Sequence, residues 1–165
     1  MSAETAGTSM LRVLHDAGVE YIFGLPGTSG FGMMAALTHQ RKIEYILSLH
    51  ETCVVAMADG YARATQKPTV ANVSVLPGTA NSIGGLYCAY RDRSPVIVTS
   101  AQQDTRLLGR DPHTSTSDMV EMSRQFTKWS WEAPRADRVA EAMLRAFKVA
   151  AAPPQGPVYL SLPSN

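Results

Sequence analysis

The fold is decided by one stretch: Ile43-Glu44-Tyr45-Ile46-Leu47-Ser48-Leu49, followed directly by His50-Glu51-Thr52-Cys53-Val54-Val55-Ala56-Met57-Ala58-Asp59-Gly60-Tyr61-Ala62-Arg63-Ala64-Thr65. The first part is a short, mostly apolar run that reads as a strand; the second is Ala-rich and helical in its spacing. No turn residue separates them. A strand that runs straight into a helix is half of a βα unit, and such units stack into parallel sheets covered by helices.

The same alternation extends in both directions. Upstream, Thr5 to Asp16 carries Met10, Leu11, Val13 and Leu14 on one helical stripe, with Gly18 as the stop. Tyr21-Ile22-Phe23 follows as a strand, Gly24 to Gly30 as a glycine-rich loop, and Phe31 to Thr38 as a short helix. Downstream, Thr69 to Val75 is a strand, Leu76-Pro77-Gly78-Thr79 a turn, and about Ala80 to Tyr90 a helix. Pro95 to Ser100 is a strand, Ala101 to Ser117 a polar loop, and Asp118 with Glu121 a capping pair opening a short helix. Phe126 to Trp131, Arg135 to Ala150 and Gly156 to Leu162 complete the pattern as strand, amphipathic helix and strand. The expected fold is α/β, a three-layer sandwich with a six-stranded parallel sheet and helices on both faces, built as one domain over residues 1–165.

Ligands of such sheets bind beyond the C-terminal ends of the strands. The candidate site is therefore formed by the loops at Gly24–Gly30, Leu49–Thr52, Val75–Asn81 and Ala101–Ser117. Composition narrows what they do. Fifteen Lys and Arg against fourteen Asp and Glu leave a net charge of +1. No basic block is present, which argues against nucleic acid or an anionic membrane surface as partner. No run approaches the roughly 20 apolar residues of a membrane span, and the N-terminus has no charged region leading into an apolar one. A cytoplasmic protein is expected. Cys53 and Cys88 each lie in an apolar helical pattern and are expected to be reduced, largely buried thiols.

Several chemistries lack their motifs. Gly24 to Gly30 is not G-x-G-x-x-G, and no G-x-x-x-x-G-K-[ST] or G-x-S-x-G occurs; a nucleotide-binding domain remains a weak alternative. His15, His39, His50 and His113 have no metal-ligand spacing, and neither cysteine has a C-x-x-C partner, so no metal site is expected in this chain. Glu51 stands apart, because it falls where an apolar strand ends and a helix begins. An acid there gains about 0.3–1 kcal/mol from the helix dipole whatever its role. Ala56, Gly60 and Ala64 form a small-residue strip on its helix, and Ala80, Gly84 and Cys88 form another on the later helix. Such strips suit close packing, within the domain or between subunits, and a carboxylate near a dry interface is a candidate for a raised pKa.

His50-Glu51, followed after six residues by Ala58-Asp59-Gly60-Tyr61-Ala62-Arg63, resembles the HE-x6-ADGYAR signature of thiamine-diphosphate-dependent enzymes. The match is to the pyrimidine-binding, N-terminal domain of the 2-oxo-acid decarboxylase and acetolactate synthase group. Phe23-Gly24-Leu25-Pro26-Gly27, Pro77-Gly78-Thr79-Ala80-Asn81, Asp92-Arg93-Ser94-Pro95-Val96-Ile97 and Gly156 to Pro163 agree in the same order. Gln102-Gln103, Lys128-Trp129-Ser130 and Pro154 to Ser161 are most similar to the benzoylformate decarboxylases. The resemblance implies that Glu51 hydrogen-bonds N1′ of the cofactor's aminopyrimidine and favours the tautomer whose 4′-nitrogen takes the proton from thiazolium C2. It implies cofactor contacts at Pro26, Gly27, Gly78 and Asn81, and a substrate-side role for Thr28 and Ser74.

Two departures accompany it. Ser74 stands where benzoylformate decarboxylases carry an active-site histidine, and Thr28 where some decarboxylases carry a serine. The GDG…N motif, which in the family holds Mg²⁺ and the diphosphate, is not in this sequence, nor are the middle and diphosphate-binding domains. The resemblance thus implies half of an active site, inactive alone, that acts on a small 2-oxo acid with a diphosphate-binding domain or subunit as partner. It implies a homo-oligomer through helices 51–65 and 80–90; members that bind a flavin do so mainly through other domains. The alternatives are a complete small subunit of a split decarboxylase of the sulfopyruvate or phosphonopyruvate type, and a non-catalytic module that keeps the fold.

Overall fold

The computed structural model describes residues 4–107 and 109–165. Its elements are α1 (Ala6–Asp16), β1 (Tyr21–Gly24), α2 (Phe31–Thr38), β2 (Glu44–Leu47), α3 (Glu51–Thr65), β3 (Thr69–Val73), α4 (Leu76–Asp92), β4 (Val96–Gln102), β5 (Trp129–Glu132), α5 (Val139–Ala151) and β6 (Val158–Pro163). All six strands are parallel, in the order β2-β1-β3-β4-β6-β5. The chain is the expected three-layer α/β sandwich.

Strand periodicity explains the layers, since neighbouring residues on a strand point to opposite faces. Ile22, Val70, Ile97, Val158 and Leu160 turn to one face and meet Met10, Leu14, Met33 and Met143 of α1, α2 and α5. Phe23, Ala71, Val73, Val96, Val98 and Tyr159 turn to the other and meet Val54, Val55, Ala58, Ala62, Leu86 and Ala89 of α3 and α4. The sheet is covered on both sides by apolar helix faces, which accounts for strands that are apolar throughout rather than alternating.

Several expectations are corrected. Helix α4 begins at Leu76 and β3 ends at Val73, so the expected turn at Leu76–Thr79 is the helix's first turn. Pro77 is tolerated there because the first N–H groups of a helix have no intrahelical partner. Strand β2 is shorter than Ile43–Leu49, β5 starts at Trp129, and α5 starts at Val139 after a single 3-10 turn at Ala136–Arg138. Asp118 does accept the Glu121 N–H at 2.9 Å, but it closes a turn, and only a 3-10 helix at Arg124–Phe126 follows. Cys53 and Cys88 are exposed, because the buried stripes of their helices are Val54-Val55-Ala58-Ala62 and Ser82-Leu86-Ala89.

Candidate active site

Three chain segments meet at the C-terminal edge of the sheet, and Glu51 lies among them. His50 has extended backbone and caps α3, its Nδ1 accepting the Thr52 N–H at 3.3 Å. The cap fixes Glu51 as the first residue of the helix, where unpaired N–H groups and the helix dipole favour an anion. Its side chain is nevertheless withdrawn from water, with only 6% of the residue exposed.

Both carboxylate oxygens are occupied. The Ser74 hydroxyl, just past the end of β3, donates to Oε1 at 2.7 Å. The Asn81 side chain, in the second turn of α4, donates from Nδ2 to Oε2 at 3.0 Å. The Asn81 carbonyl in turn accepts the Thr52 hydroxyl at 3.1 Å, so the starts of α3 and α4 are joined twice. No Lys or Arg among the described residues pairs with Glu51.

Electrostatics follow from these contacts. Burial pushes the Glu51 carboxyl up. The hydrogen bonds from Ser74 and Asn81, its own backbone N–H and the nearby His50 pull it down, and together they hold it below the ordinary carboxylate value. The raised pKa expected from a dry neighbourhood is thus corrected: two good donors outweigh the desolvation.

Two glycines make the cluster possible. A Cβ on Gly78 would stand 2.5 Å from Ser74 Oγ and 2.9 Å from Glu51 Oε1. One on Gly27 would stand 2.9 Å from Ser74 Cβ. Glu51, Ser74, Asn81, Gly78 and Gly27 therefore converge. Pro26 is half-buried in the same loop, and Thr28 is exposed at the start of a 3-10 turn, Thr28–Gly30. Neither is joined to Glu51 by a hydrogen bond among the described residues. The loop leaves β1 on a fixed path, because the Leu25 N–H donates to the Asn72 carbonyl at 3.0 Å and the Tyr45 hydroxyl to Asn72 Oδ1 at 3.0 Å.

A buried layer beneath the site escaped the sequence reading. The Tyr159 hydroxyl on β6 lies 2.6 Å from Ser100 Oγ on β4 and 3.1 Å from Thr79 Oγ1 on α4. This chain of hydroxyls ties the first turn of α4 to the sheet, directly beside Gly78. Its members are far apart in sequence, and each reads locally as an ordinary core position, so no local signal marks it.

The small-residue strips also resolve. Ala56, Gly60, Ala64, Ala80, Gly84 and Cys88 are all exposed, so packing within the domain is not their role. The close approach of α3 and α4 is made instead at Gly85, where a Cβ would lie 2.7 Å from Val55 Cγ1. Among the described residues no three His, Cys, Asp or Glu side chains are grouped to hold a metal ion, and no helix is long and apolar enough to cross a membrane.

Comparison with known proteins identifies the family. Residues 4–122 match the family described as thiamine pyrophosphate enzyme, N-terminal TPP binding domain. Benzoylformate decarboxylase of Pseudomonas aeruginosa is 33% identical over 160 residues, which is 97% of this chain and 30% of that protein. The acetolactate synthase large subunit of Haemophilus influenzae is 36% identical over 156 residues, 94% of this chain and 27% of that one. Among solved structures, a 4-hydroxybenzoylformate decarboxylase from Rhodococcus jostii superposes with a TM-score of 0.93 at 31% identity, covering 97% of this chain and 30% of that chain. The benzoylformate decarboxylase of Polynucleobacter necessarius does so with a TM-score of 0.91 at 32% identity, over 98% and 30%. The chain thus spans less than a third of the length of these relatives. It belongs to the thiamine pyrophosphate enzymes, as their N-terminal TPP-binding domain.

Proposed function

We propose that this chain is the pyrimidine-binding half of a thiamine-diphosphate-dependent 2-oxo-acid decarboxylase or carboligase, with Glu51 as its catalytic residue. The observation that carries the reading is the buried Glu51 carboxylate at the C-terminal edge of the sheet, held by Ser74 and Asn81 and paired with no Lys or Arg among the described residues. When bound, thiamine diphosphate supplies the carbon acid and the electron sink for a 2-oxo acid. The donor set fits its aminopyrimidine ring, since a ring nitrogen that gains a proton needs one fixed carboxyl group beside it. Glu51 holds or gives up that proton; Asn81 and Ser74 keep its oxygens in place. Gly27, Gly78 and Pro26 shape the surrounding backbone, and Thr28 and Ser74 lie on the substrate side.

Mg²⁺ and the diphosphate would be held by a diphosphate-binding domain, in the same polypeptide or a partner subunit. Exposed apolar side chains support a covering partner. Phe31, Leu47 and Leu49 lie at the edge that carries Glu51, and Leu49, one residue before His50, is 95% exposed. The exposed strips of α3 and α4 fit a second copy of the domain, as small residues allow helices to approach closely. The test is reconstitution. Combined with a diphosphate-binding domain, thiamine diphosphate and Mg²⁺, the chain gains decarboxylase activity toward a 2-oxo acid, and Glu51→Gln lowers the rate by about 10²-fold or more. An unchanged rate with Glu51→Gln refutes the assignment.

A further inference from the structure

We propose that Ser74 is a positioning residue of this site: its hydroxyl fixes the Glu51 carboxylate and makes Oε1 the more favourable of the two oxygens to protonate when Glu51 takes a proton. The inference deepens the reading of Glu51 given above and rests on it for its catalytic meaning.

The argument starts from the two donors. The Asn81 amide reaches Oε2 through Nδ2–H, which can only donate. A protonated Oε2 would still accept from that N–H but as a weaker acceptor, so protonation there costs part of the Asn81 hydrogen bond. Ser74 is different, because a hydroxyl both donates and accepts. With Glu51 ionised, Ser74 Oγ–H donates to Oε1 at 2.7 Å. With Oε1 protonated, the same Oγ rotates its hydrogen away and accepts. One atom pair is therefore satisfied in both protonation states, and Oε1 is the oxygen at which a proton costs less.

Geometry holds Ser74 to this task. Gly78 closes on its Oγ and Gly27 on its Cβ, each so near that a methyl group on either glycine would collide with Ser74. The two glycines come from different segments, the loop after β1 and the first turn of α4, and together they form a slot in which the serine side chain is held facing Glu51. The titratable and charged groups around Glu51 are few. Among the described residues, His50, on its own helix cap, is the one whose charge acts on it, and the contacts from the end of β3 and from α4 are made by Ser74, Gly78 and Asn81. Among the described residues no other acid or base acts on Glu51 to mask the effect of removing the hydroxyl.

The experiment is a ¹³C NMR titration of the Glu51 carboxyl in this 165-residue chain, without cofactor. Ser74→Ala removes the donor to the ionised form and is expected to raise the proton affinity of Glu51 by about tenfold, the size of one charge-assisted hydrogen bond. Ser74→Gly serves as the second variant, since it adds no volume to the slot. Asn81→Ala is the comparator for the other oxygen and moves the affinity in the same direction. A merely structural serine would change the unfolding midpoint and leave this titration where it is. An unmoved Glu51 titration in both folded Ser74 variants overturns the proposal. Because no cofactor is present, that result is independent of the proposed function, which falls instead if Glu51→Gln leaves the reconstituted rate unchanged.

Discussion

Three glycines of α4 lie within eight residues and meet very different surroundings, so replacing each by alanine separates packing from helix propensity. In an exposed helix interior the change stabilises by about 0.5–1 kcal/mol, because alanine loses less backbone freedom on folding. Gly84 is such a case: it is exposed, and a Cβ there meets nothing within 4 Å. Gly84→Ala is expected to stabilise the chain by that amount. At Gly85 the new Cβ would stand 2.7 Å and 2.8 Å from Val55 Cγ1 and Cβ. Overpacking of this kind costs about 1–3 kcal/mol, so the gain is cancelled or reversed. At Gly78 the added methyl meets Ser74 Oγ at 2.5 Å and Glu51 Oε1 at 2.9 Å. Either the helix shifts or Ser74 turns away, and the second route breaks a bond to a carboxylate worth about 1.5–3 kcal/mol. The net loss for Gly78→Ala is about 1–2 kcal/mol. Urea unfolding followed by far-UV circular dichroism measures all three against the parent at one pH. The expected order of stability is Gly84→Ala above the parent, Gly85→Ala at or below it, and Gly78→Ala below it. If Gly78→Ala is as stabilising as Gly84→Ala, the Glu51–Ser74–Gly78 packing described here is wrong.

Other perturbations probe the layers around that contact. Tyr159→Phe strands the buried hydroxyls of Thr79 and Ser100 and should cost about 1–3 kcal/mol in the same assay; a neutral result would remove the hydroxyl chain from the account. The folded Glu51 carboxyl titrates below its ordinary value of 4.5, so the stability it contributes is complete above that pH and drains away as pH falls through the folded value. The stability difference between the parent and Glu51→Gln should therefore shrink from pH 6 to pH 3, whereas a difference that grows on acidification contradicts the sign of the shift. Cys53 and Cys88, exposed on α3 and α4, should both react with a thiol reagent in the native state. If α3 and α4 pair with a second copy, the reaction slows as protein concentration rises, and labelling that ignores concentration counts against that interface.

The legibility of this molecule in its sequence follows the range of the interactions concerned. The sheet and its helices could be read because strand and helix periods are local, and because Ile43 to Thr65 joins the two without a break. Glu51 was legible for the same reason: its place at the start of α3 is set by its neighbours. The resemblance also points to Ser74, Gly78 and Asn81 as site residues, but how they hold Glu51 is not legible. Ser74 and Asn81 are 23 and 30 residues away, and only the fold shows that they occupy both oxygens and reverse the expected direction of its pKa. The start of α4 reads as a turn in the sequence because Pro77 and Gly78 are turn-forming residues, yet both are compatible with a first helical turn. Gly84 and Gly85 are adjacent in sequence and opposite in role, a distinction that depends on which of them faces Val55.

The central claim, that Glu51 controls a proton of the cofactor's pyrimidine, is tested most directly by deuterium exchange at C2 of thiamine diphosphate. The measurement is made with Mg²⁺ on the polypeptide or complex that joins this domain to a diphosphate-binding one, for the parent and for Glu51→Gln. The account predicts fast exchange in the parent and a rate lower by about 10²-fold or more in the variant, with the cofactor still bound. Equal exchange rates at equal occupancy would contradict it.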